Sequence, residues 1–422
     1  MNNLLDLAKT NNIELEVLEK DNIDTNIVIL NDTIEKYETS NEKKYEVKAK
    51  INNRIVKYNT ENIDNVLEIL KENASIIDSD VTYDFISDTE NNIDVNTNYK
   101  EVDYKKILNN MLSLNKLKEK YKELISINIS FDHNITNLHL YNTNGVSKKD
   151  TNQIFCYYGE LVININNENI TSFFYILNVD LDKLDLNKIV EEKIEEAYFK
   201  SKAVSTKTDK YNIIISSESM NKILKAFNTM FKKELIDKKL SPLMDKINEK
   251  VFSDKITIVE DPTNPTLVGK RLFDTEGVNT YYKEIVKAGV FITPLYDNKT
   301  AKKDDVKSTG NSFGVRNMYI MPGTLSEEEL LNKLKAGIYI SNVEGLHAGV
   351  NFITTNISLQ AEGYRVENGK KVEALKMIIL STSLFELLNN VESVGSNLEF
   401  YSSICGSPSI LFNNISVAGN VK

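Results

Sequence analysis

The chain has 422 residues, a formal net charge of −10 at pH 7, two cysteines and three histidines. That length exceeds one ordinary core and sets an expectation of two or three domains, while the acidic balance excludes a dedicated phosphate-backbone binder, whose affinity needs a basic footprint. Cys156 and Cys405 lack metal-type spacing and give no disulfide framework, which implies a reducing compartment.

The N-terminus, Met1-Asn-Asn-Leu-Leu-Asp-Leu-Ala8, lacks a basic targeting region, and no run approaches the roughly 18 apolar residues that cross a bilayer. A cytoplasmic protein with neither membrane nor nucleic acid as partner is the expectation. Residues 13–20, 26–31, 45–51 and 54–58 alternate apolar and polar, the period of half-buried strands, and Ile63, Val66, Leu67, Ile69 and Leu70 share one helical stripe. A strand-rich unit over 1–78 is predicted, followed by an acidic linker over 79–103 that includes Asp88-Thr-Glu-Asn-Asn92.

A second unit over 104–208 opens with a helix at 105–124 and continues with strands at 127–131, 138–142, 153–165 and 170–179. A turn at Asn142-Thr-Asn-Gly145 and a closing helix at 187–203 complete it. After a strand at 211–215, the helix from Ser217 to about Leu235 carries Met220, Ile223, Leu224, Phe227, Met230 and Phe231 on one apolar face, capped by Ser216 or Ser217. Ser241-Pro242 predicts a further helix start. Beyond 255 the pattern is short strands, with one helix from Ser326 whose Glu327-Glu-Glu329 run is read as a helix N-terminus rather than a catalytic pair.

Fourteen of the sixteen glycines and five of the six prolines lie from Asp254 on, whereas the first 144 residues contain neither type. Glycine allows positive φ and proline fixes φ, so 209–422 reads as a β-rich domain of many specified turns. The fold class is α+β, with N-terminal antiparallel sheets flanked by helices and a mostly β C-terminal domain containing a few helices.

The ordered motifs of this second half are Tyr211-Asn-Ile-Ile-Ile215-Ser-Ser-Glu-Ser-Met220, Val259-Glu-Asp-Pro262, Phe273-Asp-Thr-Glu-Gly-Val278, Lys307-Ser-Thr-Gly310 with Asn317, Gly337-Ile-Tyr339, Ala361-Glu-Gly-Tyr-Arg-Val-Glu-Asn-Gly369 and Ile415-Ser-Val-Ala-Gly419. This set resembles the TldD/PmbA family, and within it the PmbA (TldE) branch, often described as modulators of DNA gyrase. Two elements depart from the family pattern: a Gly-Asp reads Thr355-Asn-Ile-Ser358 here, and a Gly-Asn reads Ser381-Thr-Ser383.

The resemblance implies that the TldD branch carries zinc on His-Glu-x-x-x-His in the helix after the strand at 211–215. At those positions this chain has Lys225, Ala226 and Met230. An ammonium repels zinc, alanine supplies no base, and a thioether is a poor zinc ligand. Cys405 falls where the family's third ligand stands, with a small buried hydrophobe as its other reading, and Cys156 reads as core. His133 and His139, six apart in strand-like sequence, are on one face and conceivable as a metal pair, or are ordinary hydrogen-bonded imidazoles. Substrate-path candidates are Lys307, Ser308, Thr309, Arg316, Asn317 and His347, the last in a glycine-flanked loop.

The function that the resemblance implies is a non-catalytic subunit of a cytoplasmic peptidase. This chain, without a cofactor of its own, would shape the peptide path while a TldD-like partner holds zinc. The alternative is a homodimeric peptide- or protein-binding module without proteolysis. No Gly-x-Ser-x-Gly elbow, Walker loop or dinucleotide fingerprint occurs.

Overall fold

The computed structural model describes residues 2–76, 83–87, 93–94 and 99–420, so Asp88 to Asn92 and most of the stretch 79–98 lie outside the described residues. The chain starts with a helix that the strand patterns did not foretell, α1 (Asn2–Thr10), followed by β1 (Glu14–Leu30), β2 (Thr33–Ile51), β3 (Arg54–Thr60) and α2 (Val66–Ile76). After β4 (Ile93–Asp94) come α3 (Tyr104–Ser113), a 3-10 turn, α4 (Leu117–Lys120), β5 (Leu124–Asn142), β6 (Ser147–Ile165), β7 (Glu168–Asn178) and α5 (Leu186–Lys200).

All seven of these strands form one sheet in the order β3-β2-β1-β5-β6-β4, with β7 also on β6. The segments 1–78 and 104–208 therefore share a single layer, joined by the antiparallel pairing of β1 with β5 from Glu16–Asn142 to Leu30–Asn128. The strand pairs predicted at 13–20 and 26–31, and at 127–131 and 138–142, are single long strands. Their middles lack apolar alternation because the facing residues there are held by polar cross-strand bonds. One face of the sheet packs on α1 and α2 through Leu15, Val17, Val47 and Leu70, and on α3 and α5 through Ile27, Phe131, Leu161 and Val190. The opposite face meets the C-terminal half, where Phe273 packs with Leu18, Leu138 and Leu140.

The second half begins with β8 (Asp209–Ile215), α6 (Ser217–Phe227) and α7 (Lys233–Asp237), then β9 (Ile258–Glu260), β10 (Lys283–Lys287), β11 (Val290–Phe291), α8 (Asn298–Asp304) and β12 (Met318–Ile320). It continues with α9 (Glu327–Leu334), β13 (Gly337–Glu344), α10 (Leu346–Gly349), β14 (Asn356–Glu367), β15 (Lys370–Ser383), α11 (Leu384–Asn389), β16 (Val391–Val394), β17 (Glu399–Phe400), β18 (Cys405–Ser407) and β19 (Ile410–Ala418). One sheet runs β15-β14-β13-β8-β19-β16, and β15 also pairs with β19, so five strands close on themselves. The other runs β11-β10-β9-β12-β18-β17. Helix α6 shares one apolar core with both, contributing Met220, Ile223, Leu224 and Phe227. The α+β architecture expected from the sequence is the one observed.

The helix expected to reach Leu235 stops at Phe227. Asn228 Nδ2 takes one of its last carbonyls, Lys225 O (2.5 Å), and in the 3-10 turn that follows Ser241 Oγ donates to Met230 O (2.6 Å). The chain then pairs with Leu295, whose O accepts from Lys233 N at 2.9 Å. Ser241-Pro242 starts no helix. Ser241 Oγ accepts from Leu243 N (3.1 Å), but Asp245 and Asn248 adopt left-handed backbone, φ 57° and 66°, and the segment stays a turn. Helix α9 has the expected capping box, with Ser326 accepting from Glu329 N and Glu329 from Ser326 N.

Candidate functional site

Strand β8 enters α6 through Ser216, whose φ of −59° and ψ of 158° are non-helical and whose hydroxyl accepts from Ser219 N (3.2 Å). This cap fixes the helix phase. Met220, Ile223, Leu224 and Phe227 turn into the core, and Lys225 turns out, exposed, toward a groove between the two halves of the molecule. The groove holds about 350 Å³ and is lined by Lys225, Ser402, Ser403 and Ile404 on one side and by Asp132, Asn134, Ile154, Cys156, Tyr175 and Leu177 of the long sheet on the other.

The sheet wall continues as a polar ladder. The register sets Asn22 against Thr136, Asp24 against Asn134 and Asn26 against Asp132. Asn134 Nδ2 donates to Asp24 Oδ1 (2.5 Å), Asn26 Nδ2 to Asp132 Oδ1 (2.7 Å), and Thr136 Oγ1 to Asn22 Oδ1 (3.0 Å). Asn134 Oδ1 also accepts from Thr136 Oγ1 (3.0 Å), while Asn22, Asn26, Asp24 and Asp132 each keep a second polar atom for a ligand. Cys156, expected in the core, is instead half-buried on this wall, and burial pushes its thiol up to about 11. Alternation from the buried Phe155 and Tyr157 puts it on the opposite face of β6.

The opposite wall is held by a buried carboxylate. Glu260 accepts from Lys283 Nζ (2.7 Å), from Asn311 Nδ2 on both oxygens (2.9 Å each) and from Arg316 N (2.7 Å). Beside it Asn317, at φ 50°, accepts from Gly269 N (2.8 Å) and donates through its own N to Ser403 O (3.1 Å). Arg316 extends from this knot so that its guanidinium donates to Ser403 Oγ at 2.8 Å. The knot joins Gly269, Asn317 and Ser403, distant in sequence, into one surface.

The sequence candidates separate accordingly. Arg316 and Asn317 stand behind the groove wall and hold its Ser403. Ser308 and Thr309 serve their own loop, with hydroxyls bonded to Tyr296 O and with Thr309 Oγ1 donating to Asn311 Oδ1 (2.8 Å). Lys307 is exposed in the turn after α8, and His347 is exposed on α10. His133 and His139 do share a face, but six residues of strand separate them by about 20 Å. Both ring nitrogens of His133 are engaged, by Tyr104 (2.7 Å) and Gln153 (2.9 Å), and burial lowers its pKa. His139 pairs with Ser147 Oγ (3.1 Å).

The residues at the positions expected for the zinc motif do not suit zinc. Lys225 is a cation and Ala226 has no base. Met230 lies beyond the end of α6, fully buried in the core. Cys405 is fully buried in β18, where burial raises its pKa well above the usual thiol value and its carbonyl accepts from the Asn221 amide.

Residues 208–419 match the model of the PmbA/TldA metallopeptidase C-terminal domain. The chain is 30% identical over 305 residues, 72% of its length, to the metalloprotease PmbA homolog of Buchnera aphidicola subsp. Acyrthosiphon pisum, covering 68% of that protein. The chain belongs to the PmbA/TldD family. It is also 32% identical over 178 residues to metalloprotease PmbA of Escherichia coli O157:H7, covering 42% of this chain and 39% of that one. Two solved structures share the fold, each with a TM-score of 0.87. One is a Thermotoga maritima protein provisionally described as a modulator of a DNA gyrase, 25% identical and covering 99% of both chains. The other is TldE of Thermococcus kodakarensis, 20% identical, covering 99% of this chain and 100% of that one. Relatives in this family are named metalloproteases, whereas the positions at Lys225, Ala226, Met230 and Cys405 offer zinc no suitable donor set.

Sequence reasoning missed three features of the site: the ladder Asn22, Asp24, Asn26, Asp132, Asn134 and Thr136; the knot of Glu260, Lys283 and Asn311; and Arg271. For the ladder a signal existed, because Asn and Asp recur at period two in both strand middles.

Proposed function

We propose that this chain is a PmbA/TldE-type, non-catalytic subunit that pairs with a zinc-bearing TldD-like chain to make a peptidase, and that it supplies part of the peptide path. One observation carries the reading. The groove beside Lys225 keeps a built polar wall of ordered amide and carboxylate groups, while the positions that would hold zinc carry none of the needed chemistry. Free amide donors and acceptors along an extended wall suit the main chain of an unfolded segment with little side-chain preference. Beside the groove, Tyr158, Phe173 and Tyr175 stand exposed, with Tyr158 and Phe173 stacked at 6.2 Å, a surface suited to a protein partner.

The test is to mix the purified chain with a zinc-bearing relative from the same genome and follow cleavage of an unstructured peptide. A stable pair of unchanged activity would sink the proposal. A second copy of this chain on the same aromatic surface is the other reading, and native mass spectrometry of the chain alone and of the mixture decides between them.

A further inference from the structure

Beyond the Asn22–Thr136 end of the ladder, past the groove, three cations lie close enough to repel one another, and no carboxylate among the described residues is bonded to their side chains. Arg271 lies between Lys270 and Leu272, and both neighbours clamp Asp150 of β6, Lys270 Nζ at 2.5 Å and Leu272 N at 2.9 Å. Asp150 pairs across the sheet with Leu138, and Leu138 with Lys20, so Arg271 is seated over the sheet row that carries Lys20. Arg271 N donates to Pro262 O (2.7 Å), and the adjacent Asp261 N donates to Asn317 O (3.2 Å), which brings the Arg316 segment alongside.

The nearby carboxylates are hydrogen-bonded to other groups and act on the trio only through space, Glu42 and Asp24 on Lys20, Asp150 on Arg271 and Glu260 on Arg316. Asp150 serves Lys270 and Leu272 N, Glu260 serves Lys283, Asn311 and Arg316 N, and Asp24 and Asp132 bond amides of the ladder. Among the described residues, the side chains of Arg271 and Lys20 have no hydrogen-bond or ion-pair partner. Arg316 has only the hydroxyl of Ser403 and the ring of Phe313, 5.4 Å from its guanidinium carbon. The mutual repulsion is expressed in the groups themselves. Burial and then Arg316 pull Arg271 down to about 10, and Lys20 is lowered by desolvation and then by both arginines. In a chain of net charge −10, two half-buried arginines and an exposed lysine, none with a carboxylate bonded to its side chain among the described residues, offer a site to an anion.

We propose that Arg271, Arg316 and Lys20 form a carboxylate site that receives the C-terminal carboxylate of a peptide lying in the groove. The assignment rests on the peptide-path reading above and adds the polarity of the bound chain: its free end lies at Arg271 and its preceding residues run along the ladder toward Lys225. A phosphate backbone fits less well, since Asp24 and Asp132 on the facing wall repel a chain of repeated negative charges.

The experiment measures binding of a short neutral peptide, with no acidic side chains, to the full chain in the presence of its zinc partner. The peptide is compared as free acid and as C-terminal amide, for the parent and for R271Q. The free acid is expected to bind at least about tenfold more tightly than the amide, and R271Q to erase that difference while its thermal midpoint stays unchanged. R316Q, in which the neutral bond to Ser403 can persist, is the second variant, expected to narrow the difference. Equal binding of acid and amide to the parent overturns the carboxylate site and leaves the peptide path standing. Binding of neither overturns both.

Discussion

Lys283 Nζ lies 2.7 Å from Glu260 Oε2, and both side chains are sealed from solvent, 3% and 0% exposed. The pair sits under the groove wall, and Glu260 also orders Asn311 and the main chain of Arg316. Replacing Lys283 by Met leaves a buried carboxylate with neutral donors only, so Lys283→Met is expected to lose about 3–5 kcal/mol of stability. Urea unfolding measures it, and a loss below about 1 kcal/mol, the size of an exposed pair, would show that the bridge does not carry the wall.

Glu276 gives the fold a pH dependence of definite sign. Burial, and then the nearby Asp274, raise its carboxyl from 4.5 to about 7, against the favourable bond from Asn298 N and the charge of Lys48. Because the folded state holds this proton more tightly than the unfolded chain, Glu276 adds stability that is full below 4.5 and fades as pH rises to 7. The change amounts to about 3 kcal/mol across that window. Glu276→Gln keeps an oxygen for Asn298 N, so the slope contributed by this group disappears. Denaturant midpoints of the parent and the variant at pH 5 and pH 7.5 are the measure, and parallel pH profiles would overturn the assignment.

Gly269 makes the close approach that joins the two halves of the wall. A Cβ added there would lie 2.2 Å from Ser403 O and 2.5 Å from Asn317 Oδ1, the atom that accepts from Gly269 N. Gly269→Ala must push Asn317 and Ser403 apart, at a cost of about 1–3 kcal/mol. It displaces Arg271 and Arg316 together. The variant is expected to lose stability and the preference for a free peptide carboxylate in parallel, whereas R271Q loses only the preference. Calorimetry alongside the peptide titration separates the two patterns.

What the sequence made legible follows the physics of each element. The stripe from Met220 to Phe227 and the box from Ser326 to Glu329 are local codes, complete within a few turns of helix, and both were readable. The C-terminal motifs were readable as an ordered set. The long strands were not, because Asp21 to Thr25 and Asp132 to Thr136 break apolar alternation, and only their mutual register, set by chain segments more than a hundred residues apart, gives those polar residues partners. Arg271 went unnoticed for the same reason. Nothing in Gly269-Lys-Arg271 distinguishes a solvated pair from one whose lysine is bound by Asp150 and whose arginine side chain makes no hydrogen bond or ion pair among the described residues.

Placing the letters of the zinc motif at the expected positions tests whether the local fold can hold a metal. In the triple variant Lys225→His, Ala226→Glu, Met230→His, the first change stands on the exposed side of α6 and faces the groove. The third falls in the 3-10 turn past Phe227, where Met230 is fully buried and its carbonyl is already held by Ser241 at 2.6 Å. An imidazole at 230 enters an apolar core without a partner, which costs about 1–3 kcal/mol, and it shares no helix face with residue 225 unless the turn rewinds. The expected result is a destabilised protein with substoichiometric zinc by elemental analysis. One zinc per chain with the parent's stability would mean that α6 extends past Asn228 at little cost and that side chains alone keep zinc out of the parent.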